Sequence, residues 1–159
     1  MVPDHLGFQG RQRRPPRDPV NSLLSFGYVL VTNELQSLLD GIGFDPYIGF
    51  YHQLDYGRPS LALDLLEELR PALVDRLTVK LLNRQELRKD DFVPGPEGGL
   101  YLGREGKRKY FQHYERELNA PVEVDGMTLT FRDIFRRQAD RLAAALTRDE
   151  PYEGFYFPC

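Results

Sequence analysis

The residues best suited to chemistry lie in the segment GFYHQLDYGRPSLALDLLEELRP, positions 49–71. His52 precedes a helical pattern in which Asp64 stands three residues before Glu67 and four before Glu68. Residues three or four apart share a helical face, so Asp64 and Glu67 project together. Leu61 and Leu65 draw the adjacent stripe into a core. Carboxylates beside a buried stripe are costly unless they are paired or metal-bound. One imidazole with carboxylates suits Mg²⁺ or Mn²⁺, since these ions prefer oxygen ligands and Mn²⁺ accepts a nitrogen. Two plainer readings stay open on spacing alone. Acidic groups near a helix start interact well with the helix dipole and need do nothing else. Arg70 follows Glu67 by three residues and is close enough to pair with it. His5, in the lead-in, and His113, among tyrosines on an amphipathic pattern, read as surface or packing histidines.

The elements that must position these groups are mostly helical. Residues 1–17 carry Gly, Pro and Arg without periodicity and read as an extended lead-in. Arg11, Arg13, Arg14 and Arg17 make it basic, which suits either phosphate contact or a solvated arm. Asp18 and Pro19 form a helix start, with the aspartate as cap and the proline at the first helical position. Leu23, Leu24, Leu30, Val31, Leu35, Leu38 and Leu39 then form one broad stripe that stops near Gly41-Ile42-Gly43. Gly27 inside this helix weakens it, which points to a close approach by another backbone. Residues 44–58 read as a structured connection.

Pro59 and Ser60 open a second helix, lined by Leu61, Leu65, Leu66, Leu69, Leu73, Val74 and Leu77. Pro71 removes a backbone donor and should kink or divide it. Residues 88–108 suggest a loop with a hairpin, in which Leu100-Tyr101-Leu102 pairs briefly. Tyr110, Phe111, Tyr114 and Leu118 share a helical face over 109–118. An Asp-Gly turn within Val122–Met127 signals a second hairpin. Thr130 with Asp133 caps a last helix through Phe131, Ile134, Phe135, Leu142 and Leu146, and the aromatic tail docks on the body. The fold class is therefore mainly α with one or two short β-hairpins, organised as a lead-in at 1–17 and a single helical domain at 18–159.

Composition narrows the function classes. The 159 residues are 41% hydrophobic and 28% charged, ordinary for a globular chain. No apolar run approaches the roughly 20 residues of a membrane helix. The first residues lack the apolar core of a signal peptide. Cys159 is the only cysteine, so no intrachain disulfide forms, and a cytoplasmic location is expected. A formal net charge of −3 does not mark the whole chain as a nucleic-acid binder, so DNA contact must come from a local patch.

Taken together, RRPPRDPVN, NSLLSFGYVLVTNEL and GFYHQLDYGRPSLALDLLEELRP closely resemble the CRISPR-associated spacer-integration endonucleases. The match covers residues 11–71, and the remainder is compatible with the helical C-terminal catalytic domain of that family. The resemblance implies a metal-dependent DNA endonuclease and integrase, using Mg²⁺ or Mn²⁺, that acts on DNA with a small second adaptation subunit in antiviral defence. It implies that His52 and Glu67 are metal ligands and that Asp64 assists them. Asn21 and Tyr28 match helix positions near the active cleft, and Arg58 suits a phosphate contact and helix-start positioning equally well. The family also has a third ligand, a glutamate upstream of the Arg-Pro-Pro-Arg stretch, and a β-rich N-terminal dimerisation domain. The first glutamate here is Glu34. The expectation is therefore a site short of one ligand and a chain without that N-terminal domain, so that homodimerisation is not assured. A non-catalytic truncated relative that binds DNA or a partner protein is the alternative.

Overall fold

The computed structural model describes residues 7–12, 14–45, 59–148 and 150–157. Within them lie α1 (Pro19–Gly41), α2 (Ser60–Leu69), one π-type turn (Arg70–Asp75), α3 (Arg76–Asn83), β1 (Phe92–Pro94), β2 (Leu100–Leu102), α4 (Arg104–Asn119), β3 (Val122–Val124), β4 (Met127–Leu129) and α5 (Phe131–Arg148). The mainly helical class with two small hairpins is as the sequence implies. No helix among the described residues is long and apolar enough to cross a membrane.

Two compact units divide the chain, one comprising residues 1–28 and 73–117, the other 29–72 and 118–159. In the first unit, α1 begins on a side-chain cap: Asn21 N–H donates to Asp18 Oδ1 at 2.9 Å. Such a cap contributes about 1 kcal/mol. Val20, Leu23, Leu73, Val74, Leu77, Leu81, Tyr110 and Tyr114 are buried in this unit. Tyr110 meets Phe26 edge-on, with ring centroids 5.2 Å apart. Gly27 lies under that ring. A Cβ there would collide with the Tyr110 hydroxyl and with Val74 Cγ1 at 2.6 Å. The close approach expected at Gly27 is thus made by two side chains and not by another backbone.

The second helical pattern divides at its proline. Pro71 has no N–H to give, and the chain widens into the π-type turn before resuming as α3. In β1–β2, Phe92 pairs with Leu102 and Pro94 with Leu100, antiparallel. The connecting turn closes with Gly95 N–H donating to Gly99 O at 2.8 Å. Helix α4 begins at Arg104, five residues before the expected Lys109. Its first turn is all polar apart from Gly106, so hydrophobic periodicity carries no signal there. The turn is held instead by Lys107 N–H on Gly103 O at 2.9 Å and by an Arg108–Glu105 pair at 2.8 Å. Tyr110, Tyr114 and Leu118 are buried as expected, but Phe111 is 48% exposed and belongs outside that face.

Buried Asp91 ties the β1–β2 hairpin to α4. It accepts from Lys109 Nζ at 2.8 and 3.0 Å and from Arg88 N–H at 2.8 Å. Burial pushes this carboxyl up, but the lysine and the backbone donor outweigh it, leaving the group below its ordinary value.

In the second unit, α1 ends on a Schellman motif. Gly43, at φ +88°, donates to Asp40 O at 3.1 Å, and Phe44 N–H reaches back to Leu39 O at 3.0 Å. Strands β3 and β4 pair Val122 with Leu129 around Asp125 and Gly126, whose φ values of 51° and 74° make the type I′ turn that suits a two-residue hairpin. Thr130 caps α5: its Oγ1 accepts from Asp133 N–H at 3.2 Å, and Asp133 Oδ2 accepts from Thr130 N–H at 2.8 Å. Phe131, Ile134, Phe135, Ala139 and Leu142 line the buried side of α5. The tail docks as expected, with Phe157 stacked on Phe131 at 6.3 Å.

Two predictions follow from these contacts. Gly27→Ala should destabilise the protein by about 1–3 kcal/mol in urea unfolding, as overpacking does, and adding Tyr110→Phe should recover part of the loss. Asp91 has a lowered folded-state pKa, so its stabilising contribution is present above the ordinary value near 4 and is lost as pH falls through the folded value. The stability difference between wild type and Asp91→Asn should therefore shrink as unfolding is measured from about pH 6 down to about pH 3.

Candidate metal centre and nucleic-acid interface

The buried side of α2 sets the orientation of its acids. Leu61, Leu65, Leu66 and Leu69 are each at most 4% exposed. That stripe leaves Asp64 half-buried at its margin and Glu67 on the solvent side, its side chain 51% exposed. Arg70 Nη1 donates to both Glu67 oxygens, at 2.8 and 2.7 Å. The pairing read from the spacing is therefore formed. An exposed pair of this kind is worth at most about 1 kcal/mol and holds the carboxylate loosely.

Asp64 and Glu67 share one face of α2 and carry only acceptor oxygens, a donor set that fits a hard divalent cation. His52 lies outside the described residues, as do Arg13 and Arg58. Among the described residues no group of three His, Cys, Asp or Glu side chains comes together as a metal site.

The sequence reading missed Glu68, which is turned the other way. Its carboxylate accepts from Gln138 Nε2 at 2.9 Å, Tyr152 hydroxyl at 2.7 Å and Phe155 N–H at 2.8 Å. Burial and the Glu68 carboxylate both push the Tyr152 phenol well above its ordinary value, so it stays a donor at neutral pH. A signal was present in the sequence. Gln138 occupies a buried position in the apolar stripe of α5, at 1% exposure, and a buried amide demands partners.

The basic lead-in belongs to the first unit, and part of it is spent on packing. Asn21 is fully buried. Its Nδ2 donates to Gly10 O at 2.9 Å and to Asp18 Oδ2 at 2.6 Å. Its Oδ1 accepts from Arg11 Nη1 at 2.9 Å and Gln12 N–H at 2.8 Å. Arg11 also donates to Ser25 Oγ at 3.1 Å, and its guanidinium sits 5.3 Å from the centre of the Tyr28 ring. Tyr28 hydroxyl in turn donates to Asp75 Oδ1 at 2.6 Å. Arg11, Asn21 and Tyr28 thus form one structural cluster, and Arg11 is exposed, as Arg14 and Arg17 are. His113 faces Glu86 at 3.7 Å.

Comparison with known proteins gives this arrangement its context. The family model for CRISPR associated protein Cas1 matches residues 1–116. The chain is 42% identical over 158 residues to CRISPR-associated endonuclease Cas1 3 of Thermus thermophilus, covering 98% of this chain and 47% of that protein. It is 52% identical over 103 residues to CRISPR-associated endonuclease Cas1 2 of Rhodospirillum rubrum, covering 65% and 30%. Among solved structures, a Cas1 protein from Thermotoga maritima superposes with a TM-score of 0.84 at 32% identity, over 98% of this chain and 48% of that one. A casposase bound to integration product also gives 0.84, at 28% identity, over 94% and 43%. The chain belongs to the Cas1 family, and it spans less than half the length of these relatives.

Asn21→Ala would strip four hydrogen bonds from a buried position and loosen the lead-in together with the helix start. Its cost should be about 2–4 kcal/mol in chemical unfolding, more than a lone cap provides, with faster proteolysis around residues 10–12.

Proposed function

We propose that this chain is the helical, metal-binding part of a metal-dependent DNA endonuclease and integrase of CRISPR spacer acquisition. The observation that carries the reading is the pairing of Asp64 and Glu67 on one face of α2, in a chain of a family whose curated members are named CRISPR-associated endonucleases. Glu67 and His52 would hold Mg²⁺ or Mn²⁺, with Asp64 assisting. When bound, such an ion supplies charge stabilisation at a phosphoryl oxygen. The protein's own groups do the rest. The leucine stripe sets the direction of the carboxylates, and Arg70 holds Glu67 on the solvent side until a ligand displaces it.

The reading takes DNA as substrate. Support comes from the likeness to a casposase whose structure is described as bound to integration product. The Cas6-RT-Cas1–Cas2 complex, similar at a TM-score of 0.80 over 94% of this chain, supports a small second adaptation subunit as partner. Arg14 and Arg17 are the proposed phosphate contacts of the lead-in, together with Arg13 and Arg58. Arg11, exposed and also bonded to Asn21 and Ser25, is proposed with them.

Nicking of branched DNA in Mn²⁺ is the test. His52→Ala and Glu67→Ala should each lower the rate by about a hundredfold or more, the scale of a misplaced reacting group. Activity that is equal in both variants and wild type, or absent under every metal, overturns the nuclease reading. Binding measured against salt checks the arm: Arg14→Ala and Arg17→Ala should each reduce the slope of log K by about one, whereas a neutral effect removes them from the interface.

A further inference from the structure

Glu68 follows Glu67 directly and is therefore rotated about 100° around α2 from it. Where Glu67 faces solvent, Glu68 is met by donors that lie 70, 84 and 87 residues further along the chain, at Gln138, Tyr152 and Phe155. Gln138 is itself locked, since Arg141 Nη1 donates to its Oε1 at 3.2 Å and its Nε2 also reaches Glu153 O at 3.2 Å. Gly154 passes beside the carboxylate, where a Cβ would lie 3.6 Å from Glu68 Oε1. Phe155 and Phe157 are in contact at 6.2 Å, and Phe157 stacks on Phe131 of α5. The tail is thus closed over Glu68 by hydrogen bonds and pinned to α5 by its rings.

Two physical points decide what this arrangement does. A carboxylate offers roughly four acceptor directions, and three are taken here. A cation approaching Glu68 would meet N–H and O–H donors instead of lone pairs, so Glu68 is not a ligand. Burial of the leucine stripe is non-directional and tolerates a small rotation of α2. Hydrogen bonds of 2.7–2.9 Å to three separate groups do not. Metal ligands must be held to within about 0.2 Å.

We propose that Glu68 is a positioning residue: through residues 152–157 it clamps the rotation of α2, and so holds Asp64 and Glu67 in register for a divalent cation. The inference rests on the metal reading of those two acids. The test is Mn²⁺ binding to the chain, followed by the spin-resonance signal of free Mn²⁺ at temperatures well below each variant's unfolding transition. Glu67→Ala should abolish the site. Tyr152→Phe, which keeps the ring and removes one donor, should weaken Mn²⁺ binding by about threefold to tenfold, and Glu68→Ala by about tenfold to a hundredfold, the range for groups that orient metal ligands. Nicking should fall in both at low Mn²⁺ and recover as Mn²⁺ is raised.

A purely structural role would lower the melting temperature while leaving the affinity of the folded protein unchanged. That result in Tyr152→Phe overturns the clamp and leaves the metal reading standing. Weakening in Glu68→Ala with none in Tyr152→Phe makes Glu68 a ligand and also overturns it. Wild-type binding that does not depend on Glu67 removes the metal reading and the clamp together. If Glu68→Ala fails to fold, Tyr152→Phe decides the question.

Discussion

The burial of one leucine stripe governs what the acidic residues of α2 can do. Leu61, Leu65, Leu66 and Leu69 leave the helix only a narrow range of rotation that hides them all. Each fully buried leucine contributes about 2 kcal/mol, so the stripe outweighs any preference of the acids for a particular exposure. Asp64 and Glu67 fall at the margin and on the outer side, and Glu68 falls toward α5 and the tail. The helix is ordinary in its backbone, and what distinguishes it is which carboxylate points where.

Adjacent glutamates therefore have opposite fates. Glu67 faces solvent and is paired with Arg70. Glu68 is enclosed, which is tolerable for a charge only when donors surround it. The tail supplies two of them, the Tyr152 hydroxyl and the Phe155 amide, and the buried Gln138 supplies the third. A backbone amide as donor means the chain path of the tail, and not merely its composition, matters to the enclosure.

The first unit shows the same economy with basic residues. Asn21 has four hydrogen-bonding directions and all are used, two by its amide and two by its carbonyl oxygen. Arg11 is consumed in that cluster and over the Tyr28 ring, although by sequence it belongs with Arg14 and Arg17. Four arginines within seven residues are thus not equivalent. Arg11, Arg14 and Arg17 are all exposed, but Arg11 is already bonded to Asn21 and Ser25, so a count of positive charge overstates the surface offered to phosphate.

Much of this was legible in the chain itself. The caps at Asp18, Gly43, Thr130 and Asp133, the division of the second helix at Pro71 and the Asp-Gly hairpin are local, and local hydrogen bonding and backbone sterics decide them. The stripes of α1, α2 and α5 are periodic, so their buried faces could be read. The family could be read as well, because its motifs are contiguous runs of residues. The start of α4 was not legible, since a polar first turn has no periodicity, and neither was the outward turn of Phe111. Gly27 announced a close approach without saying that Tyr110 and Val74 make it. Gln138 on the α5 stripe signalled a polar partner without naming it, so the enclosure of Glu68, like the capture of Arg11 by Asn21, was decided by tertiary structure. Their partners come from distant or aperiodic segments, and only the folded chain brings donor to acceptor.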